Sequence, residues 1–168
     1  MGAVKLAKVP AGVRILVDAN ILLYALARQS EQCRAFLGRC ASGEVEGWVT
    51  TTVVAEVGHR RMMMEAQAAG LVRAHPAKEL GRKPEAVRKL PVSAEEVRAL
   101  LGGGLRVEPV LPGDFLPALE LQQSHGLLTN DSLNLAAARR LGLKNVATAD
   151  PQFDRIPGLS VYRPEDVG

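Results

Sequence analysis

Aromatic residues are scarce in this chain: three Phe, two Tyr and one Trp among 168 residues. So few rings do not build the stacking platform on which many RNA-recognition modules lay their bases. Cysteine is scarcer still. Cys33 and Cys40 are the only two, and seven residues on one helix would hold them roughly 10 Å apart, beyond the reach of a disulfide. Both are expected reduced, as in a cytoplasmic protein. No apolar run approaches the ~18 residues of a membrane span. The stretch MGAVKLAKVPAGVR has no apolar core bounded by a cleavage site, so a secretion signal is not expected either.

Several catalytic signatures are missing as well. His59, His75 and His125 show no H-E-x-x-H spacing, and the two cysteines form no C-x-x-C pair, so a zinc site is not expected. There is no phosphate-binding G-x-x-x-x-G-K-[ST] loop, no G-x-G-x-x-G fingerprint and no G-x-S-x-G elbow.

What the chain does have is apolar residues, 47% of the total, enough for one globular domain. VRILV at 13–17 reads as a short buried strand between Gly12 and Asp18. Helices are predicted over 19–27, 29–41, 52–68, 112–124 and 130–141, and further strands over 48–51, 105–110, 145–149 and 159–162. Ser93 and Glu96 form a capping-box pattern that opens another helix, ending before Gly102-Gly103-Gly104. Asn130 is a plausible N-cap for the Ala-rich helix, with Gly142 as its stop. Strands alternating with helices imply a three-layer α/β/α sandwich around a central parallel β-sheet. Residues 1–12 read as an N-terminal tail and 13–168 as a single domain. Within it, 70–92 reads as an elaboration.

That elaboration is basic. Residues 71–90 hold Arg73, Lys78, Arg82, Lys83, Arg88 and Lys89 against two acids, for a net +4, while the whole chain carries only +3. A basic segment beside a nearly neutral body suggests contact with a polyanion, with a solvated surface as the alternative.

The acids are the sharper signal. Asp18 interrupts the apolar run RILVDANILLYAL where the first strand should end. In an open parallel sheet, ligands bind outside the carboxyl ends of the strands. Asp18 and Asp150 each follow a predicted strand, Glu56 lies one turn into the helix after another, and Asp131 lies in the first turn of the helix from Asn130. Each alone has a plain explanation, such as an N-cap, a helix surface or a turn. Together they would converge at one edge of the sheet. Clustered carboxylates repel one another, and a hard divalent cation held by oxygen ligands, Mg²⁺ or Mn²⁺, reverses that cost. The chemistry that suits such a site is metal-assisted attack of water on a phosphodiester.

These segments, in this order, resemble the PIN domain nucleases. ILVDANILLYAL is similar to the family's first acid and the helix after it, and TTVVAEV to the segment with its second acid. LLTNDSLNLAAARRLGL is similar to the third-acid helix, and VATADPQFDRIPGLSVYRP to the closing block. The likeness runs from about Arg14 to Pro164, is weak between Gly70 and Glu108, and is nearest to the toxins of VapBC toxin–antitoxin modules. It implies a Mg²⁺- or Mn²⁺-dependent endoribonuclease that cuts single-stranded RNA to leave 5′-phosphate and 3′-hydroxyl ends. Asp18, Asp131 and Asp150 would hold the metal. Glu56 would hold or activate water. Asn20 would orient Asp18 or touch the substrate phosphate, and Thr148 would act beside Asp150. The resemblance also implies a homodimer and a cognate antitoxin. The basic stretch looks longer than a minimal member would have, and Arg82 and Lys83 are candidates to touch RNA. Asp154 reads as a surface acid, and Asn134, one turn after Asp131, as a possible neighbour of the site. The competing reading is a non-catalytic PIN-like domain that binds RNA or protein. A phosphatase with Asp18 as nucleophile is a more distant third, because Asn20 stands where a second acid would help.

Overall fold

Ile15, Leu16 and Val17 are all buried. A strand that alternates its side chains between two faces buries three in a row only when both faces are covered. The structure, a computed structural model, describes residues 3–167 and shows that arrangement. In chain order the first half holds β1 (Val4–Lys5), β2 (Arg14–Val17), α1 (Ala19–Leu26), α2 (Glu31–Ala41), β3 (Glu46–Thr50) and α3 (Thr51–Ala68). The middle holds α4 (Pro76–Leu80), α5 (Pro84–Val87), α6 (Pro91–Gly102) and β4 (Arg106–Glu108). The rest holds α7 (Phe115–His125), α8 (Thr129–Arg140), β5 (Asn145–Ala147) and β6 (Ser160–Arg163).

All strand pairings are parallel, in the order β1-β6-β5-β2-β3-β4. Ile15 and Val17 join one core with Ile21, Leu22, Phe36 and Val53 from α1, α2 and α3. Leu16 faces the other way, against Ala138 of α8 and Phe153. The fold is the expected three-layer sandwich. No helix among the described residues is long and apolar enough to cross a membrane. Cys33 and Cys40 are buried and unbridged.

Three local expectations change. Val4 and Lys5, read as part of a tail, pair with Tyr162 and Arg163 at the sheet edge, and Leu6 behind them is fully buried. A two-residue strand is too short to register in an alternation pattern. Ser93 is not an N-cap: α6 begins at Pro91, whose missing N–H suits a first helical position. The free amides of Val92 and Ser93 instead donate to the Glu65 carboxylate of α3, at 3.0 and 2.8 Å. Asn130 is not a cap either. Helix α8 starts at Thr129, and the Asn130 amide reaches Glu56.

The segment 70–92 is two short helices and the start of α6, each opened by a proline. It buries Val72, Leu80, Ala86 and Leu90 against Ala66 of α3 in a small core of its own, with Met62 and Met63 packed on it. Gly104 then turns the chain into β4 with φ +85°, and a side chain there would meet the Cys40 carbonyl oxygen at 2.9 Å. Only glycine fits on both counts.

Arg140, the last residue of α8, fastens the far side. It donates to Asp114 at 2.8 and 3.1 Å, to Glu108 at 2.7 Å and to the Pro109 carbonyl at 2.9 Å. The Asp114 side chain is 3% exposed, and the Arg140 bonds hold its carboxyl below the usual range. A carboxyl depressed in this way stabilises the fold above about pH 4 and loses that contribution as pH falls through its folded value. Arg140→Leu should therefore cost about 2 kcal/mol at neutral pH, since it strands a buried charge whose partner is partly solvated. The penalty should shrink as pH is lowered below 4. Urea unfolding at pH 7 and pH 3 checks both statements, and an equal penalty at the two pH values would rule out the charge pair as the cause.

Candidate active site

Asp18 ends β2 and begins α1. Its extended backbone and side-chain bond to the Ala19 amide, at 2.7 Å, make it the N-cap of α1. The plain explanation for an Asp at this position is thus true, but incomplete. The other carboxylate oxygen, Oδ2, accepts from Thr148 Oγ1 at 2.6 Å and from Asn20 Nδ2 at 2.6 Å. Thr148 follows β5, the strand beside β2, and is fully buried. Asn20 also donates to Thr148 Oγ1 at 3.1 Å and accepts the Ala149 amide on Oδ1 at 3.0 Å. Both of its N–H groups are thus used inside the protein, one of them on Asp18.

The same hydroxyl governs Asp150. Thr148 Oγ1 accepts the Asp150 amide at 3.0 Å, and Asp150 Oδ1 accepts the Gln152 amide at 2.7 Å, opening a short 3₁₀ turn over Pro151–Arg155. Arg163 of β6 donates to the Asp150 carbonyl at 3.1 Å and pairs with Asp154 at 3.0 Å. Asp154 is therefore tied to β6 and braces this turn. Glu56, on α3, is half-buried. It takes a 3.4 Å hydrogen bond from Asn130 and a loose 3.6 Å contact from Arg60. Asp131 lies in the first turn of α8.

These four acids come from the ends of β2 and β5 and from α3 and α8, and they feel one another. Burial pushes the Asp131 carboxyl up to about 7, helped by the charges of Asp18, Asp150 and Glu56. Burial pushes Asp18 up to about 6, opposed by its bonds to Thr148 and Ala19 and aided by Glu56 and Asp150. Asp18 and Asp150 follow β2 and β5, and the charges of Glu56 and Asp150 act on both Asp18 and Asp131. Arg82 and Lys83 lie elsewhere, between α4 and α5. Lys83 donates to the Leu71 carbonyl at 3.0 Å and approaches Glu79 at 3.9 Å, while no ion-pair partner of Arg82 is found among the described residues.

Oxygen donors alone, with unrelieved repulsion, suit a hard divalent cation better than any soft one. Among the described residues no three His, Cys, Asp or Glu side chains close on a point as a ready-made cage.

A family model for the PIN domain matches residues 15–159. The chain belongs to the PIN domain family. Solved structures of similar shape share the PIN fold at low identity. The VapBC2 complex of Rickettsia felis, bound to a promoter DNA fragment, aligns at 17% identity and TM-score 0.61 over 90% of this chain and 98% of that one. VapC20 of Mycobacterium tuberculosis, a sarcin-ricin loop cleaving toxin, aligns at 16% and 0.57 over 83% and 92%. The DNA-bound VapBC of Salmonella typhimurium aligns at 13% and 0.54 over 90% and 98%. No curated protein matches the sequence. Within this PIN domain, Asn134, expected only as a neighbour of the site one turn after Asp131, has partners on other elements. It bonds Thr50 and Thr52, a link that no local spacing could reveal.

The raised carboxyls set a pH dependence. A carboxyl whose folded value lies above its unfolded one binds its proton more tightly in the fold. Stability is then greatest below the unfolded value and declines as pH rises to the folded one. Chelator-treated protein should therefore lose thermal stability between about pH 4 and pH 7, and Asp131→Asn should flatten the decline. A melting temperature that rises through this window in the wild type would contradict the clustered geometry.

Proposed function

We propose that this PIN domain is a Mg²⁺- or Mn²⁺-dependent endoribonuclease that hydrolyses single-stranded RNA, and that it is the toxin of a type II toxin–antitoxin pair. The observation that carries the reading is that the Asp18 and Asp131 carboxyls are pushed up by burial and by the nearby charges of Glu56 and Asp150. The likeness in shape to VapBC complexes and to a toxin that cleaves the sarcin-ricin loop supports it. The likeness to VapBC complexes supports an antitoxin partner, and a homodimer residing in the cytoplasm belongs to the same proposal.

Asp18, Asp131 and Asp150 would hold the metal. When bound, it supplies charge for the phosphoryl oxygens and lowers the pKa of attacking water. Asn20 and Thr148 keep Asp18 Oδ2 oriented, and Oδ1, which accepts the Ala19 amide, would have a second lone pair for the ion. Glu56, with only weak partners of its own, accepts a proton at its carboxylate from the attacking water. The basic segment adds reach. Arg73, Lys78, Arg82 and Lys89 have no ion-pair partners among the described residues, and α4 packs on the far end of α3. Ten residues of helix put this surface about 15 Å from Glu56, so an RNA strand of several nucleotides could touch both. Arg82 would act directly and Lys83 more through its hold on the segment.

The lack of a ready-made cage among the described residues is the observation that favours the second reading, a non-catalytic PIN domain that binds RNA or protein. Cleavage of a mixed pool of single-stranded and structured RNAs, with Mg²⁺, Mn²⁺ or EDTA, separates the two. Metal-dependent cutting is expected, with Asp18→Asn and Asp131→Asn each losing at least 100-fold, on the order of what a metal ligand supplies. Metal binding by calorimetry without cutting would point to a narrower RNA target, and no binding would favour the second reading. In the same pool, Arg82→Glu with Lys89→Glu should weaken RNA binding and lower the salt slope by roughly 0.7 per lost phosphate contact. An unchanged slope would return the segment to a solvated surface.

A further inference from the structure

Glu56 and Asp131 stand on different helices, α3 and α8, and their separation is set by how those helices pack. Two polar links join the helices among the described residues. One is the exposed 3.4 Å bond from Asn130 to Glu56. The other is buried. Asn134 Oδ1 accepts from Thr50 Oγ1 at 2.6 Å and from Thr52 Oγ1 at 2.5 Å, and the two hydroxyls lie 2.7 Å apart. These lengths suit O–H···O bonds better than N–H···O bonds, which sets the amide oxygen at the centre. Asn134 is 3% exposed and Thr50 1%. Thr50 is also the N-cap of α3, accepting the Val53 amide at 3.2 Å.

The position of this node is what matters. Thr52 lies one turn before Glu56, and Asn134 lies one turn after Asp131, so each end of the node shares a helix face with an acid. Its chemistry is out of keeping with its surroundings. Leu133, Leu135, Ala136, Ala137 and Ala138 of α8 are all buried and apolar, and an apolar residue at 134 would serve packing as well. A buried oxygen that accepts two hydrogen bonds adds little net stability but fixes one arrangement over its neighbours.

We propose that Asn134 is a positioning residue that draws the first turn of α3 onto α8 and so fixes the separation of Glu56 and Asp131. The proposal rests on the reading of these acids as a metal-dependent site. It acts through spacing, so it appears in metal affinity and not chiefly in stability.

The test is calorimetric titration of Mn²⁺ into wild type, Asn134→Leu, Thr52→Val and the double variant, beside their melting temperatures. Asn134→Leu and Thr52→Val should each weaken Mn²⁺ binding by about tenfold or more, in the range typical of groups that orient metal ligands. The double variant should lose little beyond either single one, because both remove the same link. Asn134→Asp keeps an acceptor for both hydroxyls and should bind at least as tightly as wild type. Thr52→Val carries the test if Asn134→Leu does not fold. Folded variants with wild-type affinity, or a change in melting temperature alone, overturn the positioning role while leaving the site intact. A wild type that binds no Mn²⁺ overturns the metal-site reading, and the positioning role falls with it.

Discussion

A carboxylate nearly closed off from water sits at the centre of this molecule. Asp18 is 7% exposed, and burial opposes its charge. Three donors hold it: its neighbour's amide, the Asn20 side chain and the Thr148 hydroxyl. Two of the three come from its own helix and the third from the adjacent strand. The parallel pairing of β2 with β5 is thus a condition for orienting Asp18. Register matters as well: Val17 opposite Ala147 brings Thr148 level with Asp18. A slip of one residue would turn the hydroxyl to the other face of the sheet.

From that group outward, the architecture brings like charges together. Opposite charges are placed where they serve the frame: Arg140 clamps Glu108 and Asp114, and Arg61 pairs with Glu96 at 2.7 Å between α3 and α6. Asp18, Asp131 and Asp150 have no basic partner among the described residues. Of the four acids only Glu56 has a basic side chain near it among those residues, Arg60 at 3.6 Å, and most of the repulsion is left for a ligand to relieve.

Much of this was legible in the sequence because it is local. An acid directly after a buried β-branched run, and helices with apolar faces, are short-range patterns. The strand that ends at Asp18 and the helix that holds Asp131 were readable from them. What escaped reading depends on contacts across the sheet. Glu65 caps α6 across 28 positions, which displaced the expected Ser93 cap. Asn134 meets Thr50 across 84, and neither residue type announces such a partner. Val4 and Lys5 are too few to show a period, yet β6 offers them an open edge. The expectation that the acids share one edge came from strand order, since a parallel sheet sends all its carboxyl ends to one side.

The small core beneath the basic segment has a different kind of consequence. Val72, Leu80, Ala86 and Leu90 pack on the end of α3 and contribute nothing to the two cores that flank the sheet. Three prolines start the three helical pieces, so each begins with a preset backbone angle and little help from its neighbours. Such a segment behaves as an interchangeable part. Its length and charge can change without touching the ends of β2 and β5 that carry Asp18 and Asp150, so the basic surface and the acid edge can vary independently.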